Sequence, residues 1–344
     1  MCVDNSPPAA MPGLFHEVTG VPRIDLAPVD SVEIVALMDN LTDIFMPDQG
    51  PARRPGPRIG ATVPSAIMAG GRAPDALRAE HGFSALITVR TGGQEHRLLF
   101  DAGTSPDGVV ENMRRLDIDP GSIEAVVCSH GHFDHTTGLS GLLRAVGRAG
   151  FPVLIHPHFW RRRRVLIPGT DPIEIPSVSR RALEDTGFTV IEDVQPSFLL
   201  GSSVLVTGEV PRVTGYEPGF PPQQAWLGGG WEPDPLVLDD QAVIISVRDK
   251  GLVVLTGCGH AGIVNICRYA QRLTGQPLYA AMGGFHLNGP LFEPLIPRVL
   301  DDLAALGPRY LVPAHCTGWR AQHAMAARFP DVFVPNTVGS RFGL

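Results

Sequence analysis

Residues 130–135 read His-Gly-His-Phe-Asp-His, directly after the apolar run Ile-Glu-Ala-Val-Val-Cys at 123–128. Imidazole nitrogens suit Zn, Fe, Mn or Ni, and a carboxylate adds the negative charge that holds a divalent ion. In an extended stretch, residues two apart project to the same side, so His130 and His132 can address one ion. Asp134 and His135, where the chain turns into the next helix, can face a second. Gly131 removes a side chain between the first two ligands. A lone loop histidine is more often a surface or core residue than a ligand. Packing gives no reason for this density after a buried strand.

Local residues cannot encircle two ions, so distant ligands must complete the site. The candidates are His260 in GCGHAG and His315 in PAHCTG, each in a turn after an apolar run. His286 in GGFHL reads as a ligand, a substrate contact or a hydrogen-bond partner behind a ligand. Asp101 in LLFDAG could receive the N–H of a metal-bound histidine and so fix its tautomer; a turn or helix cap is the competing role. His156 and His158 precede an arginine run and are left out of the site.

These side chains must be carried by regular elements. Hydrophobic patterning predicts strands at 31–40, 85–90, 97–100, 123–128, 153–156, 189–191, 203–207, 242–247, 252–255, 278–282 and 310–312. Helices are expected at about 107–116, 139–146, 263–273 and 295–306. Histidine-bearing turns thus recur at strand ends, where α/β proteins place their sites. The recurring strand, turn, helix order suggests two packed sheets with helices outside. Residues 1–30, rich in proline and small residues, read as an irregular arm on the surface. Residues 31–344 read as a single domain, with a Pro/Gly/Arg-rich insertion at 47–71 that is a lid or a long loop.

The formal net charge of −7 over 344 residues argues against nucleic acid or an anionic membrane as partner, leaving a small molecule. The run Arg161 to Arg164 reads as a solvated face with its stems on apolar neighbours. No apolar stretch reaches the roughly 18 residues of a membrane span, and the N-terminus lacks a basic region followed by an apolar core, so a cytoplasmic protein is expected. Five scattered cysteines are expected to be reduced thiols. A homo-oligomer is compatible with all of this.

Through LLFDAG, SHGHFDHTTGL and the late PAHCTG, the sequence resembles the metallo-β-lactamase superfamily. It is more similar to a branch that contains the dihydropterin-6-methyl-(ribofuranosyl)aminobenzene-phosphate synthases. The residues that carry this nearer likeness are MDN at 38–40, AEHGFS at 79–84, TGEVPR at 207–212, DDQA at 239–242, GCGHAGIVN at 257–265, GGFHL and PAHCTG. The resemblance implies a four-layer αββα sandwich with a binuclear metal site at one edge of the two sheets. It implies His130 and His132 on one ion, and Asp134, His135 and His315 on the other. Two positions depart from the superfamily: its usual third histidine falls about where Glu209 stands, and its usual bridging aspartate near Cys258. Glu209 could coordinate or exchange protons, Cys258 could ligate, bridge or merely pack behind a ligand, and His260 could supply what the aspartate would have. Within the nearer branch, Gly259 stands where a serine is common. His81 and Arg212 are candidates for substrate contact, Arg212 because a guanidinium grips phosphate or carboxylate in two places.

The leading expectation is hydrolysis of a small anionic, phosphoester-like substrate. Two divalent ions, zinc first among Zn, Fe, Mn and Ni, would activate a hydroxide and stabilise a developing oxyanion. Asp134, Glu209 and His260 are then the catalytic candidates. A transferase that joins a pterin diphosphate to an aromatic acceptor is the runner-up. A metal-binding protein without turnover and a di-iron oxidoreductase follow; HxHxDH speaks against the former, and the lack of a flavin-binding domain against the latter.

Overall fold

The computed structural model describes residues 23–57 and 61–344. The expected arm therefore lies largely outside the described residues, but its final stretch is not a surface strap. Leu26 and Val29 are buried, and Val29 bridges to Val247 on a core strand.

Eight strands form one sheet, in the order Phe188–Glu192, Phe151–Ile155, Ala125–Val127, Gln94–Phe100, Ser84–Thr91, Ser31–Met38, Arg341–Gly343 and Ala52–Arg53. Six form a second, in the order Ser197–Leu199, Val204–Val206, Ala242–Val247, Gly251–Thr256, Leu278–Gly284 and Tyr310–Ala314. The strands are apolar on both faces because both are covered. In Ala242–Val247, Val243, Ile245 and Val247 meet Ile34, Ile87 and Leu98 of the other sheet, while Ile244 meets the outer helices through Ile263 and Ile266. On the far side Val35, Leu37, Leu86 and Leu99 pack on Val109 and Met113 of the helix Gly108–Arg115 and on Leu142 of Leu139–Val146. A side-chain period of two thus produces four layers, αββα, from near-continuous apolar runs. Burial of each such Val, Ile or Leu contributes roughly 1.5–3 kcal/mol.

Strand direction places the site. Gln94–Phe100, Ala125–Val127 and Phe151–Ile155 run parallel in the first sheet, and Gly251–Thr256, Leu278–Gly284 and Tyr310–Ala314 run parallel in the second. Their carboxyl ends deliver Asp101, the His130 turn, the His260 turn, His286 and His315. The insertion at 47–71 adds the edge strand Ala52–Arg53 and one arm of a small hairpin, Thr62–Pro64 with Arg72–Pro74. None of its described residues lines the cleft over the histidines.

A further four-stranded sheet, Ile173–Ile175, Arg163–Val165, Gln223–Leu227 and Gly230–Pro233, was not legible as such. It corrects the reading of the arginine run. Alternation along the chain turns Arg162 and Arg164 outward over Trp231, whereas Arg163 is buried and Arg161 reaches Asp234 at 2.8 Å. Among the described residues no helix is long and apolar enough to cross a membrane.

Candidate metal centre

Two sets of donor atoms meet at the edge where both sheets end. His130, His132 and His260 form one; Asp134, His135, His315 and Cys258 form the other, the atoms of each lying within 4.8 Å of one another. The sets adjoin, with the His130 and His135 rings 4.4 Å apart. His260 therefore joins the first pair, from the opposite sheet, whereas Glu209, which could have coordinated or exchanged protons, belongs to neither set. Cys258 stands with the second set, its sulfur 3.2 Å from His135 Nε2.

Four of the five rings, all but His260, are aimed by a partner on the other nitrogen. His135 Nδ1–H donates to Asp101 Oδ2 at 2.6 Å, which leaves Nε2 facing Asp134 Oδ2 at 3.7 Å. The Asp101 carboxylate also accepts the Ser129 N–H and hydroxyl at 2.6 and 2.7 Å. Ser129 Oγ lies 2.9 Å from His130 Nδ1, so His130 offers Nε2, which is 2.9 Å from His132 Nδ1. His132 in turn donates from Nε2 to Gln223 Oε1 at 2.6 Å. His315 Nδ1 sits 3.3 Å from Asn40 Oδ1, and its Nε2 is 3.2 Å from Asp134 Oδ2. Asp39 accepts the His315 backbone N–H at 2.8 Å, which gives the MDN segment its place in the site. A partner on one imidazole nitrogen fixes the tautomer that leaves the other free to bind a cation.

Electrostatics agree with ligand geometry at the first set. Burial, reinforced by neighbouring imidazoles, holds His130 and His260 well below the ordinary histidine range, and burial brings His132 down to about 4. These rings are neutral, as ligands must be. Burial opposes charge on His135 as well, but the Asp101 and Asp134 carboxylates outweigh it and raise its pKa to about 9. The surrounding imidazoles keep Asp134 ionised against its burial. Both ring nitrogens of His260 are buried with no hydrogen-bond partner. Such orphaned polar atoms carry a desolvation cost that a cation would relieve, so these residues fit a divalent metal.

Several residues that hold this arrangement were missed or undervalued in the sequence. Gln223 also donates to Asp234 Oδ2 at 3.1 Å; Arg163 lies between Asp234 and Asp239; Asp239 accepts the Gly131 N–H at 2.9 Å. Asp240 accepts the Ala261 N–H at 2.8 Å beside His260, and burial pushes its pKa up to about 7. The DDQA segment that carries both aspartates was in view as a motif, but no chemistry was attached to it. Glu217 accepts the N–H groups of Val264 and Asn265, both at 2.9 Å, and so anchors the helix behind the His260 turn.

Two expected site residues lie elsewhere. Arg212 is buried and donates to the carbonyls of Val210 and Leu236, so it cannot grip a substrate. Glu209 is half-exposed, 3.9 Å from His156 Nε2, and belongs to neither donor set. His81 and His286 do line the cleft: His81 Nε2 is 3.7 Å from Asp134 Oδ2, and the His286 ring is 4.3 Å from that of His260.

Gly131 is the tightest point of the motif. A Cβ there would run into the Phe159 carbonyl oxygen and the Arg163 guanidinium. Gly131→Ala is expected to cost about 1–3 kcal/mol in stability through overpacking. It should also weaken cation uptake at the first set, because the turn that pairs His130 with His132 must shift. Chemical denaturation and metal content of the purified variant check both effects.

Fold and donor sets together define the class: the chain belongs to the metallo-β-lactamase superfamily, whose family profile matches residues 78–271. Members are metal-dependent enzymes, and the family implies divalent metal at this site. The chain is 28% identical over 263 residues to the 7,8-dihydropterin-6-methyl-4-(beta-D-ribofuranosyl)-aminobenzene-5'-phosphate synthase of Methanocaldococcus jannaschii, spanning 74% of this chain and 86% of that one. It is 30% identical over 267 residues to an uncharacterized protein of the same organism, spanning 77% and 94%. A solved structure described as a metal-dependent hydrolase of the beta-lactamase superfamily aligns with a TM-score of 0.66 at 23% identity, covering 90% of this chain and 98% of that one. That last likeness concerns the fold.

Proposed function

We propose that this chain is a binuclear metal-dependent hydrolase that cleaves a phosphoester-type bond in a small substrate with a flat aromatic body. The observation that carries the reading is the cleft. A cavity of about 570 Å3 is lined by His315, Cys316, Phe220, Phe292 and Trp319. The amides of Asn40, Asn288, Gln322 and Asn336 also line it. Aromatic faces and amides suit a planar heteroaromatic ring with polar edges. Among the described lining residues there is no Lys or Arg. An anionic group in the cleft must therefore be neutralised at the donor sets.

His130, His132 and His260 would hold one ion, and Asp134, His135 and His315 the other, with Cys258 beside the second. Two such cations, zinc first for a nitrogen, oxygen and sulfur donor set, would supply Lewis acidity and lower the pKa of water. The chain does the rest. Asp101, Gln223 and Asn40 orient rings through their outer nitrogens. Phe220 and Phe292 exclude water and align the ring. His81, on the open side of Asp134, offers its Nε2 to the substrate's anionic group. A hydrogen bond to a charged partner is worth roughly 1.5–3 kcal/mol, so His81→Ala should lower kcat/KM about ten- to hundredfold. Metal content should not change in that variant; a loss of ions would assign His81 to the centre itself.

A second reading, group transfer to an aromatic acceptor, draws support from the relative named as a synthase and from a cavity with room for a second ring. One assay separates the two. The metal-loaded protein is given simple phosphodiesters, then a pterin methyl diphosphate with and without an aromatic amine. Turnover without acceptor is expected for hydrolysis, whereas diphosphate released only with the amine supports transfer. Inertness toward every one of these phosphorylated substrates would sink the phosphoester reading.

A further inference from the structure

We infer that Cys258, His286 and Cys316 form a third, thiol-rich cation site beside the two histidine sets. Their donor atoms all lie within 4.8 Å of one another. They come from the turns after three adjacent parallel strands, Gly251–Thr256, Leu278–Gly284 and Tyr310–Ala314, so the sheet itself brings them together.

Two independent features point to a ligand rather than to packing. His286 Nδ1 is buried with no hydrogen-bond partner. His286 is held at φ 41°, a conformation that non-glycine residues adopt at a cost and that clusters at functional sites. Gly284 lets the strand pass close behind the pair: a Cβ there would run into the Gly257 carbonyl oxygen and stand 2.7 Å from Cys316 Sγ. The Cys316 thiol donates to the Cys258 carbonyl at 3.3 Å, a weak bond that a cation would readily displace.

Two sulfurs and an imidazole select a soft or borderline cation, such as Zn, Cd or Co, over Mg or Ca. Binding releases the two thiol protons to solvent, and the two thiolates neutralise the divalent charge. Cys258 belongs to this set and to that of Asp134, so its sulfur sits between the two. Cys316 and His286 line the open cleft, which gives the ion a path in. The inference is independent of which bond the cleft cleaves.

The test uses the full chain, reduced, stripped with a chelator and titrated with Co(II). Wild type is expected to take up about three ions per chain and to develop a thiolate-to-cobalt charge-transfer band. Cys316→Ser should bind about one ion fewer and lose roughly half of that band while keeping the weaker d–d absorption of the histidine sets. Saturation of wild type at two ions, or an unchanged band in Cys316→Ser, would overturn the inference. Should the variant fail to fold, wild type alone suffices. Iodoacetamide labelling of Cys316, read by peptide mass, should fall about tenfold with Cd(II) present, and equal labelling with and without Cd(II) counts against the site.

Discussion

His132→Ala is expected to bind one cation fewer per chain and to lose about a thousandfold or more in kcat/KM, as removal of several kcal/mol of electrostatic stabilisation requires. His132 presents Nδ1 to His130 and His260 and is aimed by Gln223 through Nε2. Without it two imidazoles remain on the first set, too few to hold an ion against water. The side chain is buried but belongs to none of the three apolar clusters, so the variant should keep its circular dichroism spectrum and cooperative unfolding. Metal analysis and steady-state kinetics on the same preparation check the two losses together. Full activity with an unchanged ion count would remove the first set from the account.

The second large effect is expected at a residue that touches no substrate. Asp101 is fully buried and accepts from the Ser129 N–H, the Ser129 hydroxyl and His135 Nδ1. It sits at φ 59°, a conformation that Asn tolerates better than Ala. Asp101→Asn is therefore the cleaner probe. It keeps the backbone but turns an amide N–H toward groups that already donate, and it removes the negative charge that steadies His135. Loss of such an outer partner typically weakens metal affinity about 10- to 100-fold, and that loss is expected at the set containing His135. Asp101→Ala should add a stability loss of about 3–5 kcal/mol, because it strands buried donors and leaves the His135 imidazole unpaired. Cobalt titration followed by absorbance, together with urea unfolding, separates the two effects. Equal affinity in wild type and Asp101→Asn would mean that the carboxylate only caps its turn.

The central strands of the two large sheets, the principal helices and the order of layers could be read from period and turn residues, because both faces of each central strand are covered and the apolar runs are long; the short edge strands and the four-stranded sheet could not. The HxHxDH turn was legible from density alone. The grouping of donors across the two sheets was not. His260 and His130 are 130 positions apart, and local spacing cannot say which set a distant turn will reach. Arg212 misled because a guanidinium satisfied by backbone carbonyls looks, in sequence, like one that waits for a phosphate. Arg163 misled in the opposite direction. A run of four arginines invites a solvated reading, but strand alternation turns every second one inward, and its partners Asp234 and Asp239 lie some 70 positions on. Gln223 carried no signal at all, since a glutamine beside another, Gln224, in a loop-rich stretch gains meaning only from the ring it faces.

The central claim is that donors from both sheets converge on two cations, and it is tested most directly by anomalous diffraction from crystals grown with zinc and measured at the zinc edge. The account predicts one peak bonded to His130, His132 and His260, and another bonded to Asp134, His135 and His315, each at about 2.0–2.2 Å from its nitrogen or oxygen ligands. Absence of anomalous density at either set, with zinc bound elsewhere on the chain, would contradict it.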